Sequence, residues 1–139
     1  MTATNPALVA AVEGEQAAIY SYGVLGAYLT GTDRSMASRA ETDHRNLRDQ
    51  LAMSMASPPA ASVIYRMPFP VTSAATALAA AVTVEERSSA LWRAAVVATI
   101  GAQRQTALNA LVAGAVRAAA FRRAAGAYPG TIPFPGLSA

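Results

Sequence analysis

The chain contains no cysteine and no lysine among its 139 residues. Without cysteine it can form neither disulfides nor thiolate nucleophiles nor cysteine-based zinc sites. The N-terminus has no basic segment of the kind that opens a signal peptide, and the longest uncharged run, residues 67–84, begins with two prolines. We therefore expect one soluble, cytoplasmic domain with no membrane span.

Charged residues are scarce and unevenly distributed. They make up 14% of the chain, and all eleven basic residues are arginine. Residues 1–86 hold five arginines and eight acidic residues, a net charge of −3, whereas residues 87–139 hold six arginines and no acid. Complementary halves favour packing against each other over a nucleic-acid surface, which typically clusters Lys and Arg among aromatic residues. The sequence indicates no nucleic-acid partner and no identifiable small-molecule substrate.

Alanine dominates the apolar 53% of the chain, which favours an all-α fold. Gly31 should end a first helix, Asp33 should cap a second, and Pro58-Pro59 should end it. The predicted helices cover about 6–30, 34–57, 73–98 and 102–125, followed by a proline-rich tail at 127–139.

The lengths of the connections predict the topology. Helices 1 and 2, and helices 3 and 4, are joined by a few residues, which makes each pair antiparallel. The link between helices 2 and 3, PPAASVIYRMPFPV, contains four prolines and can extend about 46–50 Å, longer than a helix of roughly 36 Å. Helices 2 and 3 are then parallel, which predicts an antiparallel four-helix bundle with the long helix 2 to helix 3 crossover of ferritin-like folds.

An internal repeat at an offset of 70 residues supports a duplicated helical hairpin. In helices 1 and 3 the repeat pairs Leu8 with Leu78, Val12 with Val82, Glu15 with Glu85 and Tyr22 with Trp92. Helices 1 and 3 therefore share one spacing of apolar and acidic positions.

Four polar residues are candidates for a site in the bundle core. Glu15 and Glu85 each lie in the apolar stripe of their helix, His44 faces inward on helix 2, and Glu41 lies one turn before it. A carboxylate on one helix and Glu-x-x-His on the next resemble half of a ferritin-like di-iron site. At the offset of 70, however, Leu111 replaces Glu41 and a glycine replaces His44.

Two interpretations of these residues remain open. Glu15, Glu41, His44 and Glu85 can bind one divalent Fe, Mn or Zn ion. Alternatively they form a structural polar network that Arg48 or Arg117 neutralises, since buried charges need partners. A third hypothesis is a small-molecule cavity at Gly114.

Several stretches are similar, almost end to end, to an uncharacterised ferritin-like family of actinobacteria, a domain of unknown function. They are EQAAIYSYGVLGA at 15–27, HRNLRD at 44–49, YRMPFPVTSAATAL at 65–78, Trp92 after a glutamate, and FPGL at 134–137. The resemblance implies a ferritin-like bundle and no particular activity.

The expected function is a non-catalytic structural or interaction protein with an incomplete di-metal site. We expect it to be a homodimer through Ala-rich helix faces. The alternative is a metalloprotein, including an oxidoreductase, that holds one metal ion. The stiff, apolar PFP segments at 68–70 and 133–135 also predict that Phe69 and Phe134 dock onto helices of this or a neighbouring subunit.

Overall fold

Four long helices form the scaffold. The computed structural model describes residues 4–137 and contains α1 (Pro6–Leu25), α2 (Gly31–Ser54), α3 (Ala74–Ala98) and α4 (Gly101–Ala124), with a short 3-10 turn at Gly26–Tyr28 that extends α1. No strand occurs within these described residues. The predicted all-α four-helix bundle is confirmed. None of the four helices combines the length and apolar character needed to cross a membrane.

Side-chain caps set the starts of α1 and α3. The Asn5 side chain accepts a hydrogen bond from the Ala7 N–H, and Pro6 occupies the first helical position, where its missing N–H costs nothing. Ser73 forms a reciprocal capping box with Thr76 at the start of α3. These caps satisfy backbone donors that the first helical turn leaves unpaired.

The turns that begin α2 and α4 have the same geometry, which corrects one predicted boundary. Thr30 and Ile100 precede the helices with identical backbone angles, φ −135° and ψ 167°. Gly31 and Gly101 follow with φ of 54° and 58°, a region that favours glycine. Gly31 therefore begins α2 rather than ending α1, and Asp33 lies inside the first turn of α2 rather than capping it.

The offset of 70 extends to whole elements. Adding 70 to the bounds of α2, Gly31–Ser54, gives the bounds of α4, Gly101–Ala124. The same offset relates the two residues that precede these helices. This agreement in backbone geometry supports a duplicated hairpin more strongly than the four matched side chains do.

The crossover runs along the length of the bundle, as predicted. α2 ends at Ser54, three residues earlier than expected, and residues 55–73 lead to α3. Met55 packs against the apolar cluster at one end, and Phe69 packs against the cluster at the other. Between them, the rings of Tyr65 and Tyr20 stack with centroids 5.4 Å apart. α2 and α3 are therefore parallel, and the predicted docking of Phe69 onto its own subunit is confirmed.

A polar layer divides the core into two apolar clusters. One cluster consists of Leu8, Ala11, Val12, Leu51, Trp92, Ala95, Ala107 and Ala110. The other consists of Ala18, Tyr22, Leu25, Leu29, Ala37, Ala40, Ala77, Leu78, Ala80, Ala81, Val84 and Phe121. Between them lies the polar layer, defined as the buried residues Glu15, His44, Glu85, Ser88 and Ser89. α1 packs closely on α2 and α3, and α3 on α4, whereas α2 and α4 approach each other less closely.

Candidate site in the bundle core

His44 lies between two buried carboxylates. Its Nδ1 is 2.6 Å from Glu15 Oε2, and its Nε2 is 3.0 Å from Glu85 Oε1. All three side chains are fully buried. An ionised carboxylate only accepts hydrogen bonds, so with both glutamates ionised the ring donates from both of its nitrogens. The geometry therefore describes an imidazolium held by one glutamate from α1 and another from α3.

The pKa shifts agree with this charge state. Burial by itself lowers the pKa of His44, but the hydrogen bonds and charges of Glu15 and Glu85 outweigh it and raise the pKa to about 9. Burial raises the pKa of Glu85, yet the hydrogen bond and charge of His44, followed by the charge of Arg117, bring that pKa below its usual value. Burial and the charge of Glu85 raise the pKa of Tyr22 well above its usual value. At neutral pH the layer therefore contains an ion pair, and the Tyr22 phenol beside it is protonated.

Two aromatic donors bind the carboxylates reciprocally across the hairpins. Tyr22 of α1 donates its hydroxyl hydrogen bond to Glu85 Oε1 at 2.5 Å, and Trp92 of α3 donates from Nε1 to Glu15 Oε1 at 2.7 Å. Ser88 adds a third donor, 3.1 Å from Glu15 Oε1. Tyr22 and Trp92 are equivalent positions of the repeat, so each hairpin supplies the donor for the other hairpin's glutamate. The repeat at an offset of 70 indicated that Tyr22 and Trp92 are equivalent positions, but it did not predict their hydrogen bonds.

Arg117 of α4 supplies the second positive charge. Its Nε lies 3.0 Å from Glu85 Oε2, and its Nη1 lies 3.7 Å from Asp43 Oδ2 at the surface. Neither Arg117 Nε nor Glu85 Oε2 has a hydrogen-bond partner, although the two atoms are close. The Nε–H bond is therefore not aligned with Oε2. The contact is thus electrostatic. Arg48, the other predicted partner, pairs instead with Asp49 at 2.7 Å and does not reach the layer.

Arg117 also separates the polar layer from solvent. Two surface hollows between α2 and α4, of about 360 and 280 Å³, share Arg117 and Asp43 in their linings. The Arg117 side chain is only 17% exposed. It therefore fills the gap between the two least closely packed neighbouring helices at the level of Glu85.

Glu41 does not join the cluster, which corrects the predicted ligand set. Its carboxylate accepts two hydrogen bonds from Arg45, the shorter at 2.6 Å, on the outer face of α2. The pair has the i,i+4 spacing that stabilises an exposed helix face. A hydrated carboxylate also avoids the cost of burial. A position three residues before His44 lies to one side of the inward face, and Glu41 turns outward from there.

The three residues that do meet are not arranged around a common point. Glu15 and Glu85 approach opposite edges of the His44 ring, and both ring nitrogens already donate to them. Within residues 4–137, no group of three or more His, Asp or Glu side chains has the spacing to hold a metal ion. The present geometry fits shared protons and does not fit a metal.

The predicted cavity at Gly114 is absent. A Cβ added at Gly114 would lie 2.8 Å from Ser89 Oγ and 3.7 Å from Glu85 Oε2. Even a methyl group would therefore press against the Ser89 hydroxyl. Glycine at this position allows α4 to approach α3 closely, and it leaves no room for a small molecule.

Comparisons with known proteins agree with the sequence resemblance at the family level. The chain matches the family described as Domain of unknown function (DUF4439) over residues 7–139, and it belongs to that family. It is similar to the crystal structure of a conserved hypothetical protein, rv2844, from Mycobacterium tuberculosis. The two are 33% identical with a TM-score of 0.83, and the alignment covers 86% of this chain and 95% of that one. No curated protein matches.

Proposed function

We propose that this member of the DUF4439 family is a non-catalytic structural or interaction protein that acts as a homodimer. Its bundle is of the ferritin-like type, and a layer of ion pairs replaces the metal centre of such bundles. The observation that carries this proposal is the position of His44, whose two ring nitrogens lie 2.6 and 3.0 Å from the carboxylates of Glu15 and Glu85.

The charges of the layer balance without a metal ion. Two carboxylates, Glu15 and Glu85, face one imidazolium, His44, and one guanidinium, Arg117. A divalent cation has to displace the proton from a histidine ligand before it can bind. With a pKa of about 9, His44 at pH 7 imposes roughly a 100-fold competition from protons. This competition favours the metal-free state.

The ferritin-like relationship rests on topology and on position. The long crossover, the parallel α2 and α3, and the placement of Glu15 and His44 at one level match the first half of a di-iron bundle. The second half keeps Glu85 but lacks the Glu-x-x-His pair, because Leu111 and Gly114 occupy the repeat positions of Glu41 and His44. Two-metal chemistry in such bundles draws carboxylates and histidines from all four helices.

A metalloprotein remains the alternative proposal. Three side chains of ligand type lie within hydrogen-bond distance in the core, and such groups bind Fe, Mn or Zn. In that case one ion would take the place of the His44 proton, and an oxidoreductase role would become open to test. Glu41 would have to leave Arg45 to complete the set.

Metal content distinguishes the two proposals. The protein is purified without chelator, and its metal content and melting temperature are measured before and after incubation with Fe(II), Mn(II) or Zn(II). We expect far less than one ion per chain and an unchanged melting temperature. One ion per chain in the wild type would establish the alternative if His44→Ala loses the ion. The surface control Asp49→Asn, which leaves the core residues unchanged, should retain it.

A further inference from the structure

The outer face of α4 is apolar and exposed. Leu108, Val112 and Val116 recur at intervals of four residues, so they form one stripe along the helix, and all three are exposed. No charged residue occurs in α4 between residues 105 and 116. A contiguous apolar surface of this kind commonly marks an interaction site.

The tail adds a pocket to this stripe. Residues of α4 and of the tail enclose a hollow of about 470 Å³, within the size range of binding pockets. Its apolar lining includes Leu111, Val112, Ala115, Val116, Ile132 and Pro135. Charges of both signs stand at its rim, where Glu86 pairs with Arg122 and Arg123 lies beside them.

The tail is fixed in place and presents an aromatic ring. Gly136, with φ of 81°, packs so tightly on α3 that a Cβ there would lie 2.6 Å from the Ser89 carbonyl oxygen. Two residues earlier, Phe134 has φ of 53° and is 73% exposed. A non-glycine residue rarely adopts this region of φ, because it is sterically unfavourable. Phe134 thus does not dock onto its own subunit, and its docking onto a neighbouring subunit stays a prediction.

We propose that α4 and the tail form the contact between two copies of the chain, with Phe134 of each copy inserted into the pocket of the other. The pocket and Phe134 belong to the same tail, so one two-fold axis can satisfy both insertions at once. An inserted aromatic ring buries about 150–250 Å² and is a common anchor of protein interfaces. The rim suits self-pairing, since Glu86 of one copy can oppose Arg123 of the other.

A second copy accounts for more of this surface than a small ligand does. A small molecule in the pocket would cover part of the Val112 and Val116 side chains but would leave Leu108 and Phe134 in water. A second copy covers all four residues together. The inference rests on the homodimer of the proposed function and adds its contact surface.

Site-directed cross-linking tests this contact, because the chain has no cysteine of its own. Pro133→Cys, which leaves the neighbouring Phe134 ring in place, and Val116→Cys are placed on separate chains of different mass, mixed and oxidised. We expect a covalent pair between these two chains to form at least ten times faster than a pair of either with Val63→Cys, which is 98% exposed on the crossover. Equal rates, or no covalent pair, would overturn the contact.

Sedimentation equilibrium of substituted chains gives a second, independent readout. Loss of an anchor residue costs about 2 kcal/mol or more, so Phe134→Ser should raise the dimer Kd at least about 30-fold. Tyr128→Ser, a change in the same tail at a side chain that is 87% exposed, should leave Kd unchanged. A dimer indifferent to Phe134→Ser contradicts this contact alone and leaves the homodimer standing, whereas a monomeric wild-type chain contradicts both. The metal assay tests the metal-free core separately from either result.

Discussion

The two hairpins share a backbone plan and differ in what they bring to the core. The α1–α2 hairpin supplies Glu15 and His44, whereas the α3–α4 hairpin supplies Glu85 and, at the position equivalent to His44, Gly114. A single imidazole therefore serves both carboxylates. Arg117, three residues beyond Gly114, supplies the remaining charge to Glu85. The two equivalent carboxylates are therefore balanced by two different positive groups, one imidazolium and one guanidinium.

Removing the one shared group should have the largest effect on this balance. His44→Leu leaves the buried Glu15 and Glu85 carboxylates facing each other without their common donor. Breaking a buried ion pair in this way typically costs about 3–5 kcal/mol of unfolding free energy. Urea denaturation at pH 7 measures the loss, and the variant should recover stability in mild acid as the carboxylates become protonated. A loss below about 1 kcal/mol would mean that His44 does not hold the hairpins together.

Deprotonating His44 should produce a smaller loss than deleting it, because the ring remains in place. The folded pKa of about 9 exceeds the ordinary value of 6.5. The contribution of His44 to stability is therefore fully present below pH 6.5 and is lost as pH rises to about 9 and above. The lowered pKa of Glu85 acts in the opposite direction, since its contribution is present above its ordinary pKa and is lost in acid.

Denaturation across pH 4 to 10 measures both limbs. His44→Gln, which cannot titrate, should lack the alkaline decline between pH 6.5 and 9. If wild type and His44→Gln lose stability in parallel over that interval, the decline has another origin.

In the α3–α4 hairpin, substitution of Arg117 should lower the unfolding free energy more than substitution of an exposed arginine does. Arg117→Met removes the positive charge 3.0 Å from the buried Glu85 Oε2 and should cost about 1–3 kcal/mol, the scale of interactions that involve a buried charged group. Arg48→Met removes only a surface pair with Asp49 and should cost about 0–1 kcal/mol. Thermal or urea denaturation of both variants gives the comparison. Equal losses would show that Glu85 does not depend on Arg117.

The reciprocal aromatic donors should be nearly equivalent. Tyr22→Phe and Trp92→Phe each remove one hydrogen bond to a buried carboxylate, and each should cost about 1–3 kcal/mol. Trp92→Phe also leaves a small void, so its loss should be the larger of the two. Because the donors act on different carboxylates across the hairpins, the double variant tests their coupling through His44. Strict additivity would argue against one connected layer.

The smallest effect is expected at Glu41. Glu41→Gln weakens only the exposed pair with Arg45, so we expect a change in unfolding free energy within about 0.5 kcal/mol. The same denaturation series measures it. A loss comparable to that of His44→Leu would place Glu41 in the core and revive the full ligand set that the sequence predicted.

Periodicity was sufficient to predict the scaffold and three of the four core residues. Steps of three and four placed Glu15 and Glu85 on inward stripes, and the long crossover predicted parallel α2 and α3, which put His44 at their level. These features follow from helical geometry alone. Glu41 and Arg48 were misassigned because position on a helix does not determine whether a long side chain turns towards the core or towards an exposed partner.

Other features depend on contacts that a sequence does not display. The start of α2 at Gly31 requires a positive φ. Glycine permits this conformation, but a glycine in the sequence does not by itself indicate that the conformation occurs. The cavity expected at Gly114 depended on how closely α3 approaches, and Ser89 fills that space. The hydrogen bonds of Tyr22 and Trp92 depend on how the two hairpins face each other, which the repeat implied only at the level of equivalent positions.

The charge state of His44 is the most direct test of a core built on ion pairs in place of a metal. His44 is the only histidine in the chain, so a ¹⁵N NMR titration of the imidazole reports it without interference. We expect both ring nitrogens to be protonated from pH 5 to 8, with titration near pH 9. A neutral ring at pH 7, or a pKa at or below 6.5, would contradict the account.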